Sequence, residues 1–190
     1  TLFRSGHTEA LLAEHPKLKV IGIDRDPAAM ELATERLAEY GERFQTHFGT
    51  YDQIDEIAKP WSIDGILMDL GVSSMQLDQA DRGFSYSQDS FLDMRMDQTR
   101  GATAADLLAE LDEFELARIF KVYGEERFAM PIARRIVAQR KLAPITMSSQ
   151  LNKIVSEVVP SVPGKQSGHP AKRVYQALRI AVNDELGILE

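Results

Sequence analysis

The sequence predicts an α/β fold in which a short, mostly parallel sheet is followed by a helical, basic unit. Three observations carry that prediction. Apolar, strand-like blocks at 19–23, 44–48 and 66–70 alternate with helical patterns, as in sheets covered by helices on both faces. After Gly101 only helical patterns remain. The charge divides as well: from Arg118 to Arg179 twelve Lys or Arg stand against three acids (Glu125, Glu126 and Glu157), so that segment carries +9 and the rest −16.

Residues 8–15 read as a short helix, and 19–23 as a strand leading into Asp24-Arg25-Asp26-Pro27. Asp26 suits an N-cap with Pro27 at the first helical position, where a missing N–H does no harm. Leu32, Ala33, Leu37 and Tyr40 recur at helical spacing, and Gly41 is expected to end that helix. Residues 44–48 form the next strand, Gly49-Thr50-Tyr51 the turn after it, and 54–58 a short helix. Ile66, Leu67, Met68 and Leu70 make the continuous apolar block of a strand buried on both faces. Asp69 interrupts the block, and Gly71, Ser73 and Ser74 follow where open α/β sheets place ligands. The rest of the 64–97 run is polar and rich in aspartate, with Phe84, Tyr86 and Phe91 interleaved; it is expected to be a functional or a disordered loop.

Asp112 with Glu115 forms a capping-box start for a helix to about Tyr123, stopped by Gly124. A helix over 127–141 is expected to kink or start late at Pro131. Ser148 or Ser149 starts another, closed by Pro160 and Pro163. After a loop at 164–170, residues 171–189 form a last amphipathic helix on Val174, Leu178, Ala181, Val182 and Leu186, with no capping residue at its end.

Composition removes several function classes. The 190 residues suit one domain, or one with an insertion, at about 150 residues per domain. Cysteine is absent, which excludes disulfides, thiolate metal sites and cysteine nucleophiles. His7, His15, His47 and His169 show no metal-ligand spacing, so no metal site is expected. No apolar run approaches the roughly 20 residues of a membrane span, and no targeting pattern opens the chain, so a cytoplasmic location is expected. Both ends read as cut, and little activity is expected of this stretch alone. Residues 1–5, TLFRS, equal the translation of a common sequencing-adaptor end and are expected to be an artefact.

A basic block on an acidic chain suggests a polyanion-binding surface, or helix faces that are simply solvated. An acid after the second strand of such a sheet accepts hydrogen bonds from a ribose diol, and Asp24 stands there. That signal fits NAD, FAD and S-adenosylmethionine equally. A nicotinamide-dependent oxidoreductase and a non-catalytic RNA-binding or ribosome-assembly module therefore remain open beside a methyltransferase.

The blocks SGHTEALL, IGIDRDPAA, DGILMDLGVSSMQLDQADRGFSY, FLDMRMD, YGEERFA and HPAKRVYQALRIAVNDEL, taken together, resemble the RsmH (MraW) family. These are bacterial S-adenosylmethionine-dependent methyltransferases that modify the exocyclic N4 of a cytosine in small-subunit (16S) ribosomal RNA. The resemblance implies a Rossmann-like methyltransferase sheet, here incomplete, over 1–100, an inserted all-helical RNA-binding domain over 101–170, and a helix over 171–190 leading back. It implies S-adenosylmethionine as cofactor, held by Gly6, His7, Asp24, Tyr51, Asp69 and Gln76. Ser5 replaces the first glycine of the family's turn, and Tyr51 its usual phenylalanine. No catalytic residue is assigned. The implied partner is small-subunit ribosomal RNA or the subunit itself, with Arg127, Arg134, Arg135, Arg140, Lys141, Lys165, Lys172 and Arg173 as candidate contacts. Arg82, Phe84 and Arg95 either clamp the base or close over the cofactor, or else pack within their own loop, with Arg95 paired to Asp93 or Asp97.

Overall fold

The structure, a computed structural model, describes residues 6–160 and 169–189, the side chains of Ser74 and Met75 excepted. Residues 1–5, Pro163 and Lys165 lie outside the described residues. The chain divides into two compact units, one of residues up to 75 with those from 186 on, the other of residues 76–185.

The first unit contains α1 (Gly6–Glu14), β1 (Val20–Asp24), α2 (Pro27–Arg36), β2 (Phe44–Phe48) and α3 (Ile54–Ile57). The two strands pair in parallel, from Val20 opposite Phe44 to Asp24 opposite Phe48. Asp26 caps α2, its carboxylate accepting the Ala28 N–H, with Pro27 in the first turn. Ala29, Ala33, Leu37 and Leu12 are buried. The helix stops at Arg36 rather than at Gly41, because the buried Leu37 leaves helical geometry (φ −100°, ψ 12°). A 3-10 stretch, Ala38–Arg43, follows, and Gly41 takes a positive φ of 53° within it.

The strand expected at 66–70 does not form. Ile66, Leu67, Met68 and Leu70 are 62, 65, 52 and 52 % exposed. A strand satisfies its backbone through a neighbouring segment, and among the described residues 66–70 join no ladder. Apolar composition supplies a reason to be covered, but no partner.

The second unit contains most of α4 (Ser74–Asp78), then α5 (Ala104–Glu110), α6 (Glu113–Val122), α7 (Ala129–Arg140), α8 (Ser148–Val158) and α9 (Lys172–Asn183). α6 packs against α7 and α9, and α7 against α8. Leu116, Phe120, Ile132, Ile136, Leu151, Val155 and Leu178 are fully or almost fully inaccessible, each worth about 1.5–3 kcal/mol of burial. Asp112 and Glu115 form the expected capping box of α6. A second box, Thr103 with Asp106, starts α5. Pro131 stands in the first turn of α7, where a backbone N–H would have no intrahelical acceptor and proline's lack of one costs no hydrogen bond, so α7 starts at Ala129.

One helix start falls where expected, with an unexpected cap, and one helix end departs from expectation. Ser148 is the first residue of α8 and faces inward. Its hydroxyl accepts the Ser90 N–H (2.9 Å) and donates to the Gln88 carbonyl (2.8 Å). Asp89 does the capping instead, accepting the Ser149 N–H at 2.9 Å. α9 ends at Asn183 because Asp184 turns left-handed (φ 47°, ψ 43°) and returns its N–H to the last turn. Arg179 and Glu185 pair across that end at 2.7 Å, and Leu186 is exposed.

The loop after α4 is ordered by packing. Phe84, Leu92, Met94 and Met96 are buried, and the Leu92 N–H donates to the Thr146 carbonyl at 2.8 Å. Gly83 has a positive φ of 72°, and a β-carbon there would meet the Phe91 carbonyl oxygen at 2.4 Å. Only glycine lets the two chain segments approach so closely.

Candidate functional site

In the first unit the chemistry gathers where the parallel strands end. Asp24 closes β1 opposite Phe48, and its carbonyl accepts the Gly49 N–H at 3.0 Å. Its carboxylate takes the Asp26 N–H at 3.0 Å, which fixes the turn into α2. Tyr51, half-buried, opens a 3-10 turn, Tyr51–Gln53, locked by the Thr50 N–H donating to Gln53 Oε1 (3.1 Å). Asp24 and Tyr51 therefore share one sheet edge.

Gly6 and His7 form the exposed first turn of α1, with open space where a Gly6 β-carbon would stand. His7 Nδ1 lies 3.8 Å from a carboxylate oxygen of the exposed Asp69. An open cavity of about 330 Å³ adjoins them, lined by His7, Ala10, Leu11, Glu14, His15 and Leu67. The first unit thus brings His7 to Asp69, and Asp24 to Tyr51. Gln76 belongs to the second unit, where it is buried within α4.

The signature loop turns its charges on itself. Arg82 is buried and donates to the carbonyls of Met96 (2.9 Å) and Arg95 (3.3 Å), with its guanidinium 5.9 Å from the Phe84 ring centre. Arg95 grips Asp93 through two bonds of 2.7 and 3.0 Å. Burial pushes the Asp93 carboxyl up, but its bonds to the Arg95 side chain, the Arg95 N–H and Gln98 outweigh burial and hold it below the ordinary value. For Asp97 burial again opposes, and the Thr99 hydroxyl and N–H with Arg100 prevail, so it too is lowered. Of the two readings of Arg82, Phe84 and Arg95, the structure displays self-packing.

Asn183 carries a role that the sequence did not disclose. Buried at the end of α9, it donates to the Met94 carbonyl (2.7 Å) and accepts the Met96 N–H (2.8 Å). Between those bonds Met94 is held at a positive φ of 62°. The available signal was an amide beside the apolar stripe of an amphipathic helix.

The candidate RNA contacts separate by their partners. Arg135 pairs with Glu157 (2.8 Å), Arg134 lies 3.8 Å from Glu113, and Arg140 donates to the Leu108 and Leu111 carbonyls at the end of α5. Arg173 donates to the Glu125 carbonyl at 2.8 Å. Arg127, Lys141 and Lys172 are exposed and make no ion pair among the described residues. Among those residues no helix is long and apolar enough to cross a membrane.

Comparison with known proteins agrees along the whole chain. A protein of Beutenbergia cavernae named ribosomal RNA small subunit methyltransferase H is 54% identical over 193 residues, covering 100% of this chain and 58% of its own length. Proteins of the same name from Micrococcus luteus (54%) and Thermobifida fusca (51%) match over 193 residues with the same coverage. The chain spans about 58% of the length of these curated relatives. The MraW methylase family matches residues 1–190, and the chain belongs to that family.

Proposed function

We propose that this chain serves in an S-adenosylmethionine-dependent methyltransferase that acts in the cytoplasm on the exocyclic N4 of a cytosine in small-subunit ribosomal RNA. The observation that carries the reading is the match over the whole chain to relatives named ribosomal RNA small subunit methyltransferase H; the N4 target is what the resemblance implies. The proposed cofactor residues fit the cofactor's chemistry. Carboxylate acceptors such as Asp24 suit a ribose diol, the Tyr51 ring suits adenine, and the acidic Asp69 beside His7 suits a sulfonium cation. Gln76 is the sixth proposed cofactor residue. The relatives give no support to an oxidoreductase or a non-catalytic module.

The cofactor supplies an electrophilic methyl group. A cytosine amine is a weak nucleophile because its lone pair is delocalised into the ring, so the protein's task is to hold the amine in line and to accept its hydrogen bonds. Asp69 and the Ser73 turn are proposed as such acceptors. The helical insertion, 101–170, is proposed to hold the RNA around the base, which must leave its stack to react.

Two measurements test the reading. Titration calorimetry with S-adenosylmethionine should give heat, and Asp24→Ala should weaken binding by roughly 10- to 100-fold, as expected for lost charge-assisted hydrogen bonds. Transfer of a tritiated methyl group to unmodified small subunits by the complete protein should yield N4-methylcytidine. Label recovered in another nucleoside would refute the N4 assignment, and absence of cofactor binding would refute the enzyme reading.

A further inference from the structure

We propose that the RNA backbone is held at one corner of the helical unit, where the turn joining α6 to α7 meets the first turn of α9, and that the arginines of α7 do not hold it. This rests on the reading that the partner is RNA.

The corner is built by close contact. Gly124 lies under α9, where a β-carbon would come within 2.3 Å of the Arg173 carbonyl oxygen. Gln176 donates to the Tyr123 carbonyl at 3.1 Å, and Arg173 to the Glu125 carbonyl at 2.8 Å. These bonds bring the exposed Lys172 and Arg173 of α9 to the same turn as Arg127. Arg118, on α6, adds a guanidinium 6.0 Å from the Tyr123 ring centre.

The acids of the turn are arranged to leave this charge standing. Glu126 points inward, buried, with its carboxylate accepting the Phe128 N–H at 2.8 Å. Glu125 is exposed, but it holds Arg173 through its backbone carbonyl, and Arg127 and Lys172 form no ion pair among the described residues. The α7 row differs: Arg135 is matched by Glu157, Arg134 faces Glu113, and Arg140 closes the end of α5. A phosphate at α7 would have to displace a carboxylate. At the corner it meets cations whose counterions are solvent ions, and release of those ions drives association with nucleic acid. The N-terminus of α9 adds a partial positive charge at the same point.

The test is the binding of this chain to a fluorescein-labelled single-stranded RNA across a salt series. Arg127→Gln with Lys172→Gln should weaken binding by about tenfold at low salt and lower the slope of log K against log salt by about 0.7 for each contact removed. Arg134→Gln with Arg135→Gln should leave affinity and slope unchanged. Neither corner side chain makes a bond among the described residues, so circular dichroism of that variant should superimpose on the parent. Equal loss in both variants, or loss in the α7 variant alone, would overturn the corner while leaving the RNA reading intact. If the parent chain bound no RNA, the corner would fall together with that reading.

Discussion

Two stretches close together in sequence show opposite ways of meeting water. Residues 66–70 are almost entirely apolar and lie exposed, joining no ladder among the described residues, whereas 82–97 carry two arginines and three aspartates and contribute Arg82, Asp93 and Asp97 to the interior. Burial follows partners rather than polarity. The second stretch has them: Asp93 meets Arg95, Asp97 meets Thr99 and Arg100, Arg82 meets two carbonyls, and Asn183 meets Met94 and Met96. A buried polar group is tolerated when it is hydrogen-bonded, and a buried charge when it is also paired.

The strongest way to break the contrast is acid, which acts on several of these carboxylates together. Asp93, Asp97 and Asp106 all lie below the ordinary value of 3.8 in the folded chain, Asp106 chiefly through the Thr103 hydroxyl. A lowered folded value means that their stabilisation is complete above the unfolded value and is lost as pH falls through the folded ones. The urea midpoint of the helical unit, followed by far-UV circular dichroism, should therefore hold steady down to about pH 5 and fall steeply below about pH 4. Asp97→Asn should flatten that fall.

Asn183→Ala comes next. It strands a buried N–H and a buried carbonyl, which should destabilise the helical unit by about 2–5 kcal/mol in urea denaturation. A change under about 0.5 kcal/mol would show that the loop is held by other means. Gly83→Ala combines a left-handed backbone with a collision against the Phe91 carbonyl and should cost about 2–3 kcal/mol by the same measurement. Thr103→Ala removes one cap and should cost about 1 kcal/mol. Ile66→Ser, in the exposed stretch, should change stability by less than about 0.5 kcal/mol; a larger loss would mean that the side chain is covered in solution.

What could be read in advance was local. Asp26 over Ala28 and Asp112 over Glu115 are bonds spanning two or three residues, so the order of residues alone specifies them. The parallel strands that set Asp24 and Tyr51 at one edge followed from alternating periodicities. Family resemblance named His7 and Asp69, 62 positions apart, each as a cofactor residue, but their approach to each other is visible only in the structure. The alternation also suggested a strand at 66–70, because periodicity registers apolar content and not the presence of a neighbour.

The sequence by itself determined most of the helices, the local caps of α2 and α6 and the edge at which the strands end, since these depend on hydrogen bonds within a turn and on a repeat along one segment. Only the tertiary structure decided that Ser148 reaches Ser90 across 58 positions and that Asn183 reaches Met94 across 89. It also separated the cations of α7, matched by carboxylates, from those at the corner by α9. Each of these depends on which distant segments meet, and the free energy of a polar contact is set by the partner and the burial that meeting provides.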